Sequence, residues 1–361
     1  MAKTAPEFHT ESSGATVDVR IIDTTTWMSE IDTKTLIDNP VKGHGLMNAP
    51  SFSFLVEHLS GRKLVFDLGV RKDYHNMAPI WMKMAAALGN STKIEVKQGV
   101  RAILEEHGVP GSSIEAIIWS HWHFDHVGDP STFDAHTALI VGPGFKEAFL
   151  PGYPANEDSF ILESDYEGRE LREVQFTQGK KIGRFNAFDY FNDGSFYLLD
   201  SPGHAVGHLC GLAKVTSNPD SYILMGGDTA HHCGEIRPSE YLPLPDLIFP
   251  HPLDRDAATP CPGAVFEKLL LDNDKARAFL KPSNFPQQQG GAHLSPSGVA
   301  QTIEKLQELD AHDKVLVVLA HDKSLLPVID FFPKYANDFA SMNWVKQGRW
   351  AFLKDFELAL N

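Results

Sequence analysis

Cysteine is scarce in this chain: among 361 residues there are only Cys210, Cys233 and Cys261, an odd number that leaves at least one thiol unpaired. Three cysteines cannot build a disulfide framework in so long a chain, and a reducing compartment is the simpler setting. Long apolar runs are missing as well. No stretch approaches the roughly 18 uninterrupted apolar residues of a membrane span, and the opening MAKTAPEFHTESSGAT lacks the apolar core of a secretory signal. Cytoplasmic residence is the expectation. Basic charge is in deficit, with 32 Lys and Arg against 47 Asp and Glu and a formal charge of -15. That balance opposes contact with nucleic-acid phosphates or an anionic membrane surface and leaves a small molecule as the expected partner. No G-x-S-x-G elbow, P-loop or complete G-x-G-x-x-G fingerprint occurs, so serine hydrolysis and nucleotide binding lack local support.

What is present is a series of short strand-like runs, among them VDVRII (17–22), FSFLVEHL (52–59), KLVFDLG (63–69), EAIIWS (115–120), SFYLLD (195–200), SYILMG (221–226) and KVLVVLAHD (314–322). Helical periodicity is clearest over 93–108, 263–280 and 295–310, the last opening with the Ser295-Pro296 cap pair. Hairpin pairs with single helices between them do not follow regular βαβ alternation; they predict two packed sheets with helices outside. We expect a single domain over 1–361. Two segments resist assignment: 70–90, with Met77, Trp81, Met82 and Met84, and 235–262, with seven prolines. Loops of this kind often cover active sites, although the Met and Trp positions fit a buried helix face equally well.

The most informative residues are His121-Trp122-His123-Phe124-Asp125-His126, directly after the apolar run EAIIWS. On an extended backbone, residues two apart point the same way, so His121 and His123 can grip one ion while Asp125 and His126 turn toward another. Without a metal, so many donors, acceptors and charges at the end of a buried strand would be costly to satisfy.

HWHFDH resembles the HxHxDH motif of the metallo-β-lactamase superfamily. The resemblance continues through Ser201-Pro202-Gly203-His204 after SFYLLD, Asp228 at the end of SYILMGGD, and His321 at the end of VLVVLAH. It implies an α/β fold of the αβ/βα four-layer sandwich type and two divalent metal ions. His121, His123 and His204 would hold the first, Asp125, His126 and His321 the second, and Asp228 would bridge them. With imidazole and carboxylate ligands only, zinc is the first expectation, and manganese, iron or cobalt also fit. Such a centre would activate a bridging hydroxide that attacks a carbonyl.

Flanking residues narrow the substrate. SHWHFDHVGD is similar to the SHxHFDHxGG form of N-acyl homoserine lactonases, with Asp129 in place of the second glycine. The resemblance implies a binuclear hydrolase that opens a cyclic ester, with Asp125 as proton shuttle. Hydrolysis of a cyclic amide or carbamate is the alternative, followed by a glyoxalase II-like thioesterase and a non-catalytic metal-binding protein. His231 stands at the offset from Asp228 where those lactonases carry tyrosine, and is a candidate proton donor. Trp27 and Met28, expected in a loop after the first strand, join Trp81 and Phe124 as candidate substrate-binding residues. His208 reads as an ordinary strand residue, and His232, His251 and His293 fit no pattern. A homodimer remains open.

Overall fold

The apolar runs assemble into two mixed sheets in a computed structural model that describes every residue except 1, 12, 90, 178 and 286–290. The first sheet contains β1 (Val17–Asp32), β2 (Leu46–His58), β3 (Lys63–Phe66), β4 (Lys93–Val96), β5 (Ala116–Ile118), β6 (Ala138–Val141) and β7 (Leu171–Glu173). Their order is β4-β1-β2-β3-β5-β6-β7, antiparallel from β4 to β3 and parallel from β3 to β7. The second sheet collects β8 (Lys181–Ile182), β9 (Phe185–Asp189), β10 (Phe196–Asp200), β11 (Leu209–Thr216) and β12 (Ser221–Met225). A ribbon of β13 (Leu247–Ile248) and β14 (Cys261–Pro262) intervenes before the last strand, β15 (Val315–Val318), which lies parallel to β12.

Alternation along β12 shows why the layers stack. Ile223 and Met225 point into the space between the sheets, among Val19, Phe54 and Phe196. Tyr222 and Leu224 face the other way, toward Ile303 and Leu306 of the helix Pro296–Asp310 and toward Phe352 and Phe356 near the C-terminus. Outside the first sheet, Val65, Ile117 and Leu139 meet Ile103 and Leu104 of the helix Val100–Glu106. Each fully buried apolar side chain contributes roughly 1.5–3 kcal/mol. The order helix, sheet, sheet, helix is the expected αβ/βα sandwich, and the residues just beyond β5, β10, β12 and β15 meet at one edge of it.

Local departures have local causes. In the 93–108 window, Lys93–Val96 pairs with Thr26–Ser29 as an edge strand, and helix is confined to Val100–Glu106. Ile94 and Val96 alternate with exposed Lys93 and Glu95, a period of two hidden inside the longer helical pattern. The 263–280 window forms 3-10 turns over Gly263–Leu269 and Leu271–Asn273, because Asp272 and Asn273 both adopt φ 55°, which no right-handed helix contains. Trp27 and Met28 lie within β1 and not in a loop after it. Thr25 at φ 58° and a register shift between Asp23 and Trp27 form a bulge that bends the strand and lets it continue. Segment 70–90 contains the helix Pro79–Ala87, and segment 235–262 is irregular apart from its ribbon, with Ile236, Leu244 and Ile248 in the core outside the second sheet. All three cysteines are buried and free. Among the described residues, no helix is long and apolar enough to cross a membrane.

Candidate metal centre

The buried strand β5 leads through Trp119 and Ser120 into His121 and His123, and Phe124–Val127 then forms a single helical turn that carries Asp125 and His126. Gly203 turns His204 inward after β10. It sits at φ 129° and packs so closely on the helix Pro296–Asp310 that a Cβ would lie 2.2 Å from the Val299 nitrogen. Asp228 follows β12 through Gly226-Gly227, and His321 follows β15.

These seven residues form two adjoining sets. One ligand atom each from His121, His123, His204 and Asp228 lies within 4.8 Å of the others, and the same holds for Asp125, His126, Asp228 and His321. In the first set His204 Nε2 lies 3.0 Å from His121 Nε2 and 2.9 Å from His123 Nδ1. Asp228 joins the sets: its Oδ2 is 3.5 Å from His204 Nε2 and 3.8 Å from His121 Nε2, while its Oδ1 is 3.2 Å from both His126 Nε2 and His321 Nε2. Asp125 Oδ2 is 3.3 Å from His321 Nε2. His126 Nε2 and Asp228 Oδ1 are buried 3.2 Å apart, yet among the described residues neither makes a well-aligned hydrogen bond. Convergent imidazole nitrogens and an unsatisfied carboxylate oxygen are what a divalent cation would complete, so the residues fit the expected ions.

Burial is the largest influence on the rings. It drives His121 and His204 well below the ordinary histidine value and His123 to about 4, which leaves neutral imidazoles. Burial also opposes charge on His126 and His321, but Asp228 and Asp125 outweigh it, raising His126 well above its ordinary value and His321 to about 10. The distal nitrogens are anchored: His121 Nδ1 to Ser120 Oγ at 3.0 Å, His126 Nδ1 to Asp67 Oδ2 at 2.9 Å, and His321 Nδ1 to the Pro50 carbonyl at 2.7 Å. Because Nδ1 of His126 and His321 donates to these acceptors, Nε2 is the atom that would give up its proton to a divalent ion.

A scan of protein families matches the metallo-beta-lactamase superfamily over residues 48–321. The chain belongs to the metallo-β-lactamase superfamily. Gamma-lactamase FDB1 of Fusarium pseudograminearum is 45% identical over 351 residues, which cover 95% of this chain and 83% of that protein. Metallo-hydrolase mfmC of Annulohypoxylon moriforme is 42% identical over 368 residues, 99% of this chain and 92% of its own. Among solved structures, an N-acyl homoserine lactone hydrolase with the product N-hexanoyl-L-homoserine at its catalytic metal centre aligns with a TM-score of 0.56. That alignment covers 89% of this chain and 99% of the other at 17% identity, a likeness of fold. As a superfamily member with these His/Asp clusters, the chain is a metal-dependent hydrolase.

Several residues around the superfamily centre escape the sequence reading. Asp67 ends the run KLVFDLG at φ 59° and accepts from both Ser120 N and His126 Nδ1. A carboxylate closing an apolar strand was its visible signal. His208 is no ordinary strand residue: its Nε2 accepts from the Asp228 backbone nitrogen at 3.0 Å, while its Nδ1 donates to the Ser201 carbonyl at 3.0 Å. His293 reaches His204, and Glu235 Oε1 accepts from the backbone nitrogens of His231 and His232, at 2.8 and 3.0 Å. The His293–His204 pair is 89 residues apart, and the shorter-range contacts of His208 and Glu235 follow no known motif spacing.

Other candidates fall into place around them. His231 Nε2 lies 3.1 Å from Asp228 Oδ2, and its buried Nδ1 has no partner among the described residues. Trp81 and Phe124 come together beside His123, with Trp81 ring distances of 5.3 Å to Phe124 and 6.0 Å to His123. Met28 is buried in a small apolar cluster against which Phe124 packs. Trp27 pairs with Glu95 on one side of β1 and Pro50 on the other, and is half-buried. Asp129 takes the place of a glycine because its carboxylate caps the turn at 130–132 and meets Arg71 Nη2 at 3.2 Å.

Proposed function

We propose that this chain is a binuclear hydrolase that opens a small cyclic acyl compound, with a five-membered cyclic amide as its first substrate class. The observation that carries the binuclear reading is the divided Asp228 carboxylate, with one oxygen toward His121 and His204 and the other toward His126 and His321. Two divalent ions bound there, zinc first among them, would polarise the ring carbonyl and lower the pKa of a shared water toward about 7. The substrate class is supported by 45% identity to a protein named gamma-lactamase over 95% of this chain. An amide nitrogen leaves only with a proton. His231, whose backbone nitrogen is held by Glu235 and whose Nδ1 is unpartnered among the described residues, would deliver it, with Asp125 as the second carrier. Trp81 and Phe124 would form an apolar wall against the ring.

The test is hydrolysis of a γ-lactam and its matched γ-lactone by zinc-loaded protein, repeated after chelation. Lactam opening that falls at least about 100-fold without metal and returns with zinc is the expected result. Opening of the lactone alone would establish the second reading, which SHWHFDH favours. Failure on both rings by a protein holding two ions would overturn the cyclic-substrate reading and turn attention to thioesters. His231→Phe should lower kcat by roughly 100-fold with zinc content unchanged; loss of zinc would instead make His231 a support for Asp228.

A further inference from the structure

Each candidate ligand needs its inward nitrogen unprotonated, and for His204 the structure shows what enforces this. His204 Nδ1 lies 3.2 Å from His293 Nδ1, and His293 Nε2 lies 3.1 Å from the Leu36 carbonyl oxygen. A carbonyl oxygen only accepts, so His293 Nε2 carries a proton. In a neutral ring its Nδ1 is then a bare acceptor, and the proton between the two facing Nδ1 atoms belongs to His204. His204 Nε2 is left with a lone pair, the atom that faces His121, His123 and Asp228.

We propose that His293 is a positioning residue that sets the tautomer of His204 and aims its Nε2 into the first metal set. The proposal rests on the metal-centre reading above. The backbone supports it: Leu294 N donates to the His204 carbonyl at 2.9 Å, Ser295 N to the Gly203 carbonyl at 2.8 Å, and Ala292 N to the Thr35 carbonyl at 3.1 Å. The segment 292–295 therefore clamps the Pro-Gly-His turn to the turn holding Leu36, and Ser295 Oγ caps the helix against which Gly203 packs. His204, His231 and His293 also lie within metal-ligand distance of one another. They are not a third metal site, because the His293 lone pair is already committed to His204 and the His204 lone pair to the first set.

Two measurements test this. Long-range proton–nitrogen correlation spectra of histidine-labelled wild type should show His293 neutral with its proton on Nε2 and His204 with its proton on Nδ1, with and without zinc. A proton on His293 Nδ1 would overturn the proposal. In chelator competition with zinc, His293→Phe should weaken one of two ions by roughly 10–100-fold, while His293→Asn, which keeps an acceptor near the Nδ1 position, should recover most of that loss. A folded His293→Phe protein that binds both ions like wild type would also overturn it. If wild type binds no zinc at all, the metal-centre reading fails, and the spectra still decide the tautomers.

Discussion

Among the described residues, the centre around Asp228 has a counterpart in a second group of His44, His232 and the half-buried Asp355, whose ligand atoms also fall within 4.8 Å of one another. In the centre, distal ring nitrogens face acceptors such as Asp67 and the Pro50 carbonyl, so the inward nitrogens are the ones that would be freed for an ion. In the second group the polarity is reversed. His232 Nδ1 accepts from Gly234 N at 2.9 Å, so the proton of the neutral ring sits on Nε2 and faces Asp355 Oδ2 at 3.3 Å. That Nε2 is a donor to a carboxylate and not a ligand to a cation, and Lys323 Nζ at 3.0 Å already neutralises Asp355. Proximity of ligand-type atoms is thus insufficient; the hydrogen bond on the far side of each ring decides between a metal site and an ion pair.

The comparison breaks most severely at Asp228, whose carboxylate faces both candidate sets. Asp228→Asn should lower kcat/KM by more than about 100-fold, beyond the range for a residue that only supports a ligand, and should reduce bound zinc below two ions per chain by elemental analysis. An active variant with two zinc ions would remove Asp228 from the bridging role. Asp67→Asn is milder, since it keeps an acceptor but removes charge beside His126. We expect roughly 10–100-fold weaker binding of one ion in chelator titrations, with the other retained. Equal weakening of both would mean that Asp67 supports the whole β3 end and not His126 in particular.

The reach of the sequence follows the same division. HWHFDH, Pro-Gly-His and the aspartate and histidine that close SYILMGGD and VLVVLAH each sit at a strand end, where an apolar run stops at a polar residue. The packed sheets were equally legible, because continuous apolar runs such as Tyr222 to Met225 have two faces to bury. His208, Glu235 and His293 were not, since they act through hydrogen bonds that no motif spacing marks, as in His208–Asp228 and His293–His204; Asp67 closes an apolar run as the candidate ligands do, but its partner Ser120 lies 53 residues away. The edge strand Lys93–Val96 was hidden for a related reason: its partner lies on the bulged part of β1, and a bulge leaves no trace in local periodicity.

On the second cluster, Asp355→Asn should leave zinc content untouched and reduce stability. Burial opposes ionisation of Asp355, but His232 and Lys323 prevail and hold its pKa at about 2. With the folded value below the unfolded one of about 3.9, its contribution is present at pH values above roughly 4 and is lost as pH falls through about 2. Denaturant unfolding at pH 7 should show a loss of roughly 2 kcal/mol that narrows toward pH 3. A loss of zinc instead would restore this cluster as a metal site.

His44→Phe should have the smallest effect, with the opposite sign. His44 is 4% exposed, packs edge-on against His232 and Phe356, and has neither ring nitrogen partnered among the described residues. Phenylalanine keeps an aromatic ring of similar bulk and removes two unsatisfied polar atoms, so a gain of about 1 kcal/mol is expected at pH 7. Burial first, and then His232, lowers the pKa of His44 from 6.5 to about 4. The unfolded chain therefore takes up a proton at His44 before the folded one does, and wild type loses stability as pH falls from about 6.5 to about 4. The phenylalanine variant has no such loss, so its advantage in melting temperature should widen between pH 7 and pH 5. A variant less stable than wild type by the same margin at both values would overturn this reading of His44 as an unsatisfied ring.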